Sequence, residues 1–238
     1  VSARVRAARG YPPPGMLGPR AIAWWSLRTL ADGVTVEGVG NIPRTGPVLL
    51  AARHYHHLLD GAVLVRYVPR PVHVVVALDW TRDARQRRWM ERACAWARWP
   101  VILRPATTGA RGGYAASEVG RYLRSGLRDA SELLRERRVV AVFPEGYPVV
   151  DATAADATPS DATPRGRDAD GFLPFASGLR AIARAARRGG ANDIAIVPVG
   201  FRYEPRGGKW NITARFGVAL NGAAPMDAVE QAVRELSR

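Results

Sequence analysis

Short apolar strands closed by turn formers, alternating with amphipathic helices, predict an α/β fold: a mostly parallel mixed sheet flanked by helices. Three observations carry this expectation. Residues 48–52, 139–142 and 194–201 are apolar without alternation, the pattern of strands covered on both faces. Helix-spaced segments separate them. The chain has 238 residues and is 47% hydrophobic, enough for one large core and hence a single domain from residue 34 to the end.

Along the chain, Pro12-Pro13-Pro14-Gly15 interrupts any earlier helix. Ile22, Trp24, Trp25, Leu27 and Leu30 then give a broad apolar helix face, with Arg20 and Arg28 as its charges. Two readings of this N-terminal segment, residues 1–33, stay open: a helix lying in a membrane interface, where Trp is favoured, or one covering the core. Val34 and Val36 alternate with polar neighbours, and Gly38, Gly40, Pro43, Gly46 and Pro47 form a turn-rich connection. Residues 48–52 lead directly into Arg53-His54-Tyr55-His56-His57-Leu58-Leu59-Asp60-Gly61. An apolar helix starts after Gly61, and residues 72–78 read as one buried strand.

Residues 81–99 predict a basic amphipathic helix, with Arg82, Arg85, Arg88 and Arg92 on one side and Trp89, Ala93, Trp96 and Ala97 on another. Its basic side suits lipid headgroups or the phosphates of an acyl donor, and equally a plain solvated face. A short strand at 100–105 carries Arg104 out at its end. A helix over residues 115–137, with a break at Gly126, turns Leu127, Ala130, Leu133 and Leu134 inward. Next comes Val139-Val140-Ala141-Val142-Phe143-Pro144-Glu145-Gly146, a buried strand that delivers Glu145 and Gly146 to its C-terminal end, the edge where open α/β sheets bind ligands. In residues 151–170 Asp-Ala-Thr recurs three times and large apolar residues are missing, which predicts a mobile surface loop. Leu179, Ile182 and Ala183 give helical spacing up to Arg188. Residues 194–201 form another buried strand, residues 210–216 a strand near the sheet edge, and residues 226–236 a closing helix.

The net charge is +14, and Lys209 is the only lysine. Such a chain needs an acidic partner: nucleic acid, an anionic membrane or a phosphorylated substrate. Nucleic acid is not expected, because the arginines are dispersed and no recognition helix, zinc spacing or RNA-binding motif is present. The single cysteine, Cys94, fits a reducing compartment and reads as a small buried hydrophobe. No run of about 18 apolar residues exists, so no spanning helix is expected. Residues 1–20 lack the apolar core of a cleaved signal.

Four segments in order, His54 to Asp60, Val101 to Arg104, Phe143 to Gly146 and Ile196 to Gly200, together resemble the motif blocks of the glycerolipid acyltransferase superfamily, whose bacterial members include lysophosphatidic acid acyltransferases. Gly38 to Pro47 and Arg215-Phe216-Gly217 extend the resemblance over about residues 34 to 237. It implies a glycerol-3-phosphate acyltransferase-like fold and transfer of a fatty acyl group to a lysophospholipid or glycerol-phosphate-type hydroxyl, within phospholipid biosynthesis. It further implies acyl-CoA or acyl-carrier protein as co-substrate, with no cofactor and no metal; the basic, Trp-bearing helices are expected to hold the protein peripherally on the inner face of the cell membrane against anionic lipid. A histidine base oriented by a carboxylate suits such a reaction, since no nucleophilic Ser or Cys is then needed. By resemblance His54 is the base, Asp60 orients it, Arg104 binds phosphate, and Glu145 and Gly146 shape the acceptor pocket.

Two departures stand out. The family has Asn-His, four residues, then Asp, but here four residues before Asp60 lead back to Tyr55, and His54 lies one place earlier. His56 and His57 therefore stay open as alternative bases, as does a catalytically degenerate lipid-binding protein on the same fold. Tyr147-Pro148 stands where the family has Thr or Ser and then Arg, so Arg165 or Arg167 is a candidate replacement for the phosphate-binding cation.

Overall fold

The computed structural model describes residues 3–5 as backbone and residues 18–81, 83–104, 114–150 and 166–238. The Pro12 to Gly15 break, Arg82, Arg165 and residues 151–165 of the expected loop lie outside the described residues. In chain order, strand β1 (Ala3–Val5) and helix α1 (Pro19–Leu30) lead into β2 (Ala31–Glu37), β3 (Val48–Ala52) and α2 (Leu59–Tyr67). Then follow β4 (Val72–Val74), β5 (Val76–Ala77), α3 (Ala84–Ala97), β6 (Val101–Ile102) and α4 (Val119–Arg135). The remainder is β7 (Val139–Val142), α5 (Gly178–Arg188), β8 (Ala195–Arg206), β9 (Lys209–Phe216), β10 (Leu220–Asn221) and α6 (Met226–Leu236).

One sheet runs in the order β1-β2-β9-β8-β3-β7-β4, with β10 added to β8. Around the centre, β8, β3, β7 and β4 are mutually parallel, and β2 is parallel to β9; the Gly207-Gly208 hairpin makes β8 and β9 antiparallel. The mixed, mostly parallel sheet expected from the apolar runs is therefore present. Strand β3 shows why those runs do not alternate. Val48, Leu50 and Ala52 enter the core under α1 and α2, while Leu49 and Ala51 enter the core under α4, α5 and α6. Each side chain has an apolar layer to meet, so no position along the strand is free to be polar.

Several local expectations need correction. Residues 72–78 are not one strand: the chain leaves the main sheet after β4, and β5 pairs instead with β6 in a separate two-stranded parallel sheet. Helix α4 is not broken at Gly126. A Cβ there would lie 2.6 Å from both the Ile102 Cγ2 and the Val101 carbonyl oxygen, so the glycine marks a close approach of helix to strand. Strand β9 lies inside the sheet, because β2 pairs along its far side.

Helix α1 covers the core with one side and leaves apolar side chains exposed on another. Ala23, Trp24 and Leu27 are buried, whereas Ile22 is 62% and Trp25 48% exposed. On α3 the expected separation of charge from tryptophan fails. Arg85, Arg88, Trp89, Arg92 and Trp96 are all exposed and, at about 100° per residue, share one stripe. Buried Cys94 faces the other way, onto Leu78, Leu103 and Tyr114. No helix among the described residues is long and apolar enough to cross a membrane.

Candidate active site

Strands β3 and β7 are parallel neighbours with Ala51 opposite Val142, so the segments that follow them emerge together at the C-terminal edge of the sheet. One carries His54 and the other Glu145. The His54 ring stacks on Phe143 at 4.4 Å between centroids and 20° between planes. Its Nδ1 lies 3.1 Å from Asp60 Oδ2. A carboxylate accepts, so Nδ1 carries the proton and Nε2 is left with its lone pair. Among the described residues no group engages Nε2, and the side chain is 14% exposed. This histidine is anchored on one nitrogen and available on the other.

Asp60 sits in the first turn of α2, where a negative charge is favoured, and it is fully buried. Its Oδ2 also accepts from the backbone N–H groups of Tyr55 at 2.7 Å and His56 at 2.8 Å. Its Oδ1 accepts from the Tyr203 hydroxyl at 2.5 Å. Burial, and next the charge of Asp60, hold the Tyr203 phenol well above its ordinary pKa, so it stays a donor. The Tyr203 ring stacks on Tyr55 at 4.6 Å, which also fixes the segment carrying the histidines.

The other two histidines do different work. His56 Nδ1 accepts from the N–H groups of Leu58 and Leu59 at 3.2 and 3.3 Å, so this ring caps the start of α2 and turns its Nδ1 away from Asp60. The His57 ring stacks on His56, and its backbone N–H bonds Val150 O at 3.2 Å. Of the three candidates, His54 is the one paired with the aspartate.

Glu145 is buried and bound to backbone. Its Oε1 accepts from His54 N at 2.8 Å and its Oε2 from Leu173 N at 3.1 Å, with Arg167 Nη1 at 3.7 Å. Burial pushes the carboxyl above its ordinary pKa, while those N–H groups and the charges of Arg53 and Arg167 pull it back down. The Gly146 N–H closes the turn on Phe143 O at 3.0 Å, and Gly146 takes a φ of 76° with nothing near its absent Cβ. A left-handed backbone in open space asks for glycine on conformational grounds alone. Arg53, before the histidine, donates to Asp170 O at 2.8 Å and lies 3.9 Å over the Phe172 ring; its Nε is buried with no partner among the described residues.

Arg104 is not a free cation at a strand end. Because Ala77 pairs with Ile102, Asp79 and Arg104 each follow two residues later, and they form an ion pair. Nε bonds both Asp79 oxygens at 3.1 and 2.9 Å, and Nη2 lies 2.8 Å from Oδ2. Nη1 donates to Gly146 O at 2.7 Å, and the guanidinium lies 4.1 Å over the Tyr147 ring. The second and third blocks thus meet through Arg104 and Gly146. Arg167 donates to the carbonyls of Gly171, Tyr147 and Pro148 and so ties down the segment after the turn.

A family model described as Acyltransferase matches residues 33–202, a span that includes all four motif blocks. The chain belongs to the glycerolipid acyltransferase family, which includes lysophosphatidic acid acyltransferases. A search of curated proteins returned no match. In this acyltransferase the first and third blocks are joined by Glu145; the first is bound to β8 by Tyr203, beyond the fourth block, and the preceding Arg53 N donates to Val199 O of the fourth block at 3.0 Å. Sequence reasoning missed Tyr203, Phe143 and Asp79. Tyr203 had a signal: Val197, Val199, Phe201 and Tyr203 keep a period of two on one core face, and a buried phenol at the end of such a run needs an acceptor. Asp79 had one too, an acidic residue just after an apolar run.

Proposed function

We propose that the acyltransferase moves a fatty acyl group from acyl-CoA or acyl-carrier protein to the hydroxyl of a lysophospholipid or glycerol-phosphate-type acceptor. The observation that carries this reading is the His54 Nδ1 to Asp60 Oδ2 contact of 3.1 Å, with Nε2 unengaged. His54 Nε2 takes the acceptor's hydroxyl proton as the oxygen attacks the thioester carbonyl. Asp60 holds the tautomer and stabilises the imidazolium. The C–S bond then breaks, the thiolate takes the proton from the imidazolium, and an ester and a free thiol leave. The donor enters as co-substrate, and this scheme uses no cofactor.

Arg104 is assigned to the acceptor's phosphate, and Glu145 and Gly146 to the wall of the acceptor pocket. The bidentate Asp79 pairing orients the guanidinium and also competes with a phosphate, so acceptor affinity should respond to Asp79 as well as to Arg104. The exposed Arg and Trp stripe of α3 and the exposed Ile22 and Trp25 of α1 support a peripheral position on an anionic membrane. The intact pairing of His54 with Asp60 favours catalysis over a degenerate lipid-binding protein. Thiol release from acyl-CoA with a panel of lysophospholipid acceptors tests the scheme: His54→Ala should abolish it while His56→Gln retains most of it. Loss in His56→Gln with retention in His54→Ala would overturn it.

A further inference from the structure

Several surface arginines among the described residues find a carboxylate. Arg98 pairs with Glu136, Arg137 with Asp193, Arg206 with Asp32 and Arg215 with Glu37, even where both partners are largely exposed. Two groups do not: Arg85, Arg88 and Arg92 on α3, and a larger group on the face formed by α4 and α5. Arg124, Arg180, Arg184, Arg187 and Arg188 have no acidic partner among the described residues, and Arg128 has only a 3.5 Å contact to its exposed neighbour Asp129. Five of the six line a groove of about 600 Å³ between the two helices, floored by Leu127, Ala181 and Ala185. Arg180, Arg184 and Arg187 line a second groove, of about 560 Å³, toward the start of α6, where Asp227 is the acidic residue. Neither groove is lined by His54, Asp60 or Glu145.

We propose that the groove between α4 and α5 docks a small acidic carrier protein that bears the acyl group as a thioester, with an acidic helix of that protein lying along it. This rests on the acyl-transfer reading above. The spacing fits a helix: Arg124 and Arg128 on α4, and Arg180, Arg184 and Arg188 on α5, repeat every four residues, as carboxylates on one face of a partner helix do. The α5 row spans about 12 Å, roughly two turns. A concave basic groove without tryptophan differs from the α3 stripe, where exposed Trp89 and Trp96 interleave with arginine as an interfacial helix requires. The groove also opens beside the site. Ser177 lines it, the preceding Ala176 N–H bonds Pro144 O at 2.8 Å, and Leu173 N–H bonds Glu145. A carrier held there has its thioester arm next to the turn that positions His54.

The test uses the full chain and a purified acyl carrier protein in its unacylated, pantetheinylated form, with binding read by fluorescence anisotropy across a salt series. Arg124→Glu/Arg184→Glu should weaken binding at least about tenfold and flatten its salt dependence, with Arg128→Gln/Arg188→Gln intermediate. Arg85→Glu/Arg92→Glu on α3 changes the net charge equally and should shift it less than about twofold, while losing affinity for phosphatidylglycerol vesicles. Equal loss in both Glu pairs, or no carrier binding by the unaltered chain, overturns the proposal. So does a rise in KM for acyl-CoA in the groove pair alone, which would assign the arginines to nucleotide phosphates. Because the probe carries no acyl group, docking is read apart from chemistry. A chain that binds it in this pattern but transfers nothing sinks the acyl-transfer reading, and one active on acyl-CoA with no carrier binding sinks the groove alone.

Discussion

Replacing Asp60 by Asn removes a charge from the site while leaving its shape. The amide oxygen can take the place of Oδ2, where it still accepts from His54 Nδ1, Tyr55 N and His56 N, and the amide nitrogen then faces the Tyr203 hydroxyl, which rotates to accept. The His54 tautomer is therefore preserved, and what is lost is the attraction between carboxylate and imidazolium. At 3.1 Å and an effective dielectric of about 20, that attraction has a ceiling of about 5 kcal/mol. With charge spread over both groups, about 3–5 kcal/mol corresponds to a loss of roughly 10²–10⁴ in kcat. The fold should lose about 1–3 kcal/mol, since the His54, Tyr55 and His56 donors keep an acceptor while the buried Tyr203 O–H loses its own. Asp60→Ala is the contrast: it strands two buried N–H groups and a phenol and should cost about 3–5 kcal/mol of stability on top of activity. Urea denaturation and thiol-release kinetics on both variants separate the two effects. A folded Asp60→Asn enzyme turning over within about threefold of the unaltered chain would refute the role given to Asp60.

Other expectations follow from single contacts. Tyr203→Phe leaves Asp60 Oδ1 without its donor and should cost about 1–3 kcal/mol of stability, measured by urea denaturation, together with a lower kcat at unchanged acceptor KM. Gly146→Ala meets no neighbour, so its cost should be the backbone strain of a left-handed φ, about 1–2 kcal/mol in the same measurement. Gly126→Ala drives a methyl into β6 and should cost about 1–3 kcal/mol by overpacking, despite the higher helix propensity of Ala. Burial pushes the Cys94 thiol up to about 11. At pH 8 about one thiol in a thousand is then ionised, so maleimide labelling of the native chain should be slow and rise about tenfold per pH unit until the thiol titrates or the chain unfolds.

The central strands were legible because burial on both faces leaves an unbroken apolar run, and the turn after β7 was legible because Pro and Gly punctuate it. Residues 72–78 misled for the same reason: an apolar run records burial, and it says nothing about which sheet its two halves join. Which of His54, His56 and His57 pairs with Asp60 was illegible, since residues 53–58 follow no period and the pairing turns on which ring caps α2. Tyr203 lies 143 residues from Asp60, and it reaches the carboxylate only because β8 runs on past the Val-Pro block into the Gly207-Gly208 hairpin. On α3 the expectation put charge on one side and tryptophan on another, although helical spacing of about 100° per residue puts Trp89 and Trp96 among the arginines. That spacing was present in the sequence and was misread.

Glu145 changes how loss-of-function data on this enzyme should be interpreted. Its carboxylate clasps the main chain at His54 and at Leu173, which lie on either side of it in sequence. Truncating it frees the peptide that carries His54, the proposed base, so an inactive variant would look like a lost substrate ligand even where the fault is a histidine that has drifted from its aspartate. A proton resonance on His54 Nδ1, present in the parent and shifted or exchange-broadened in the variant, would register that drift with no substrate in the tube. The residue that makes this motif recognisable in the sequence acts here as a fastener for another motif's histidine.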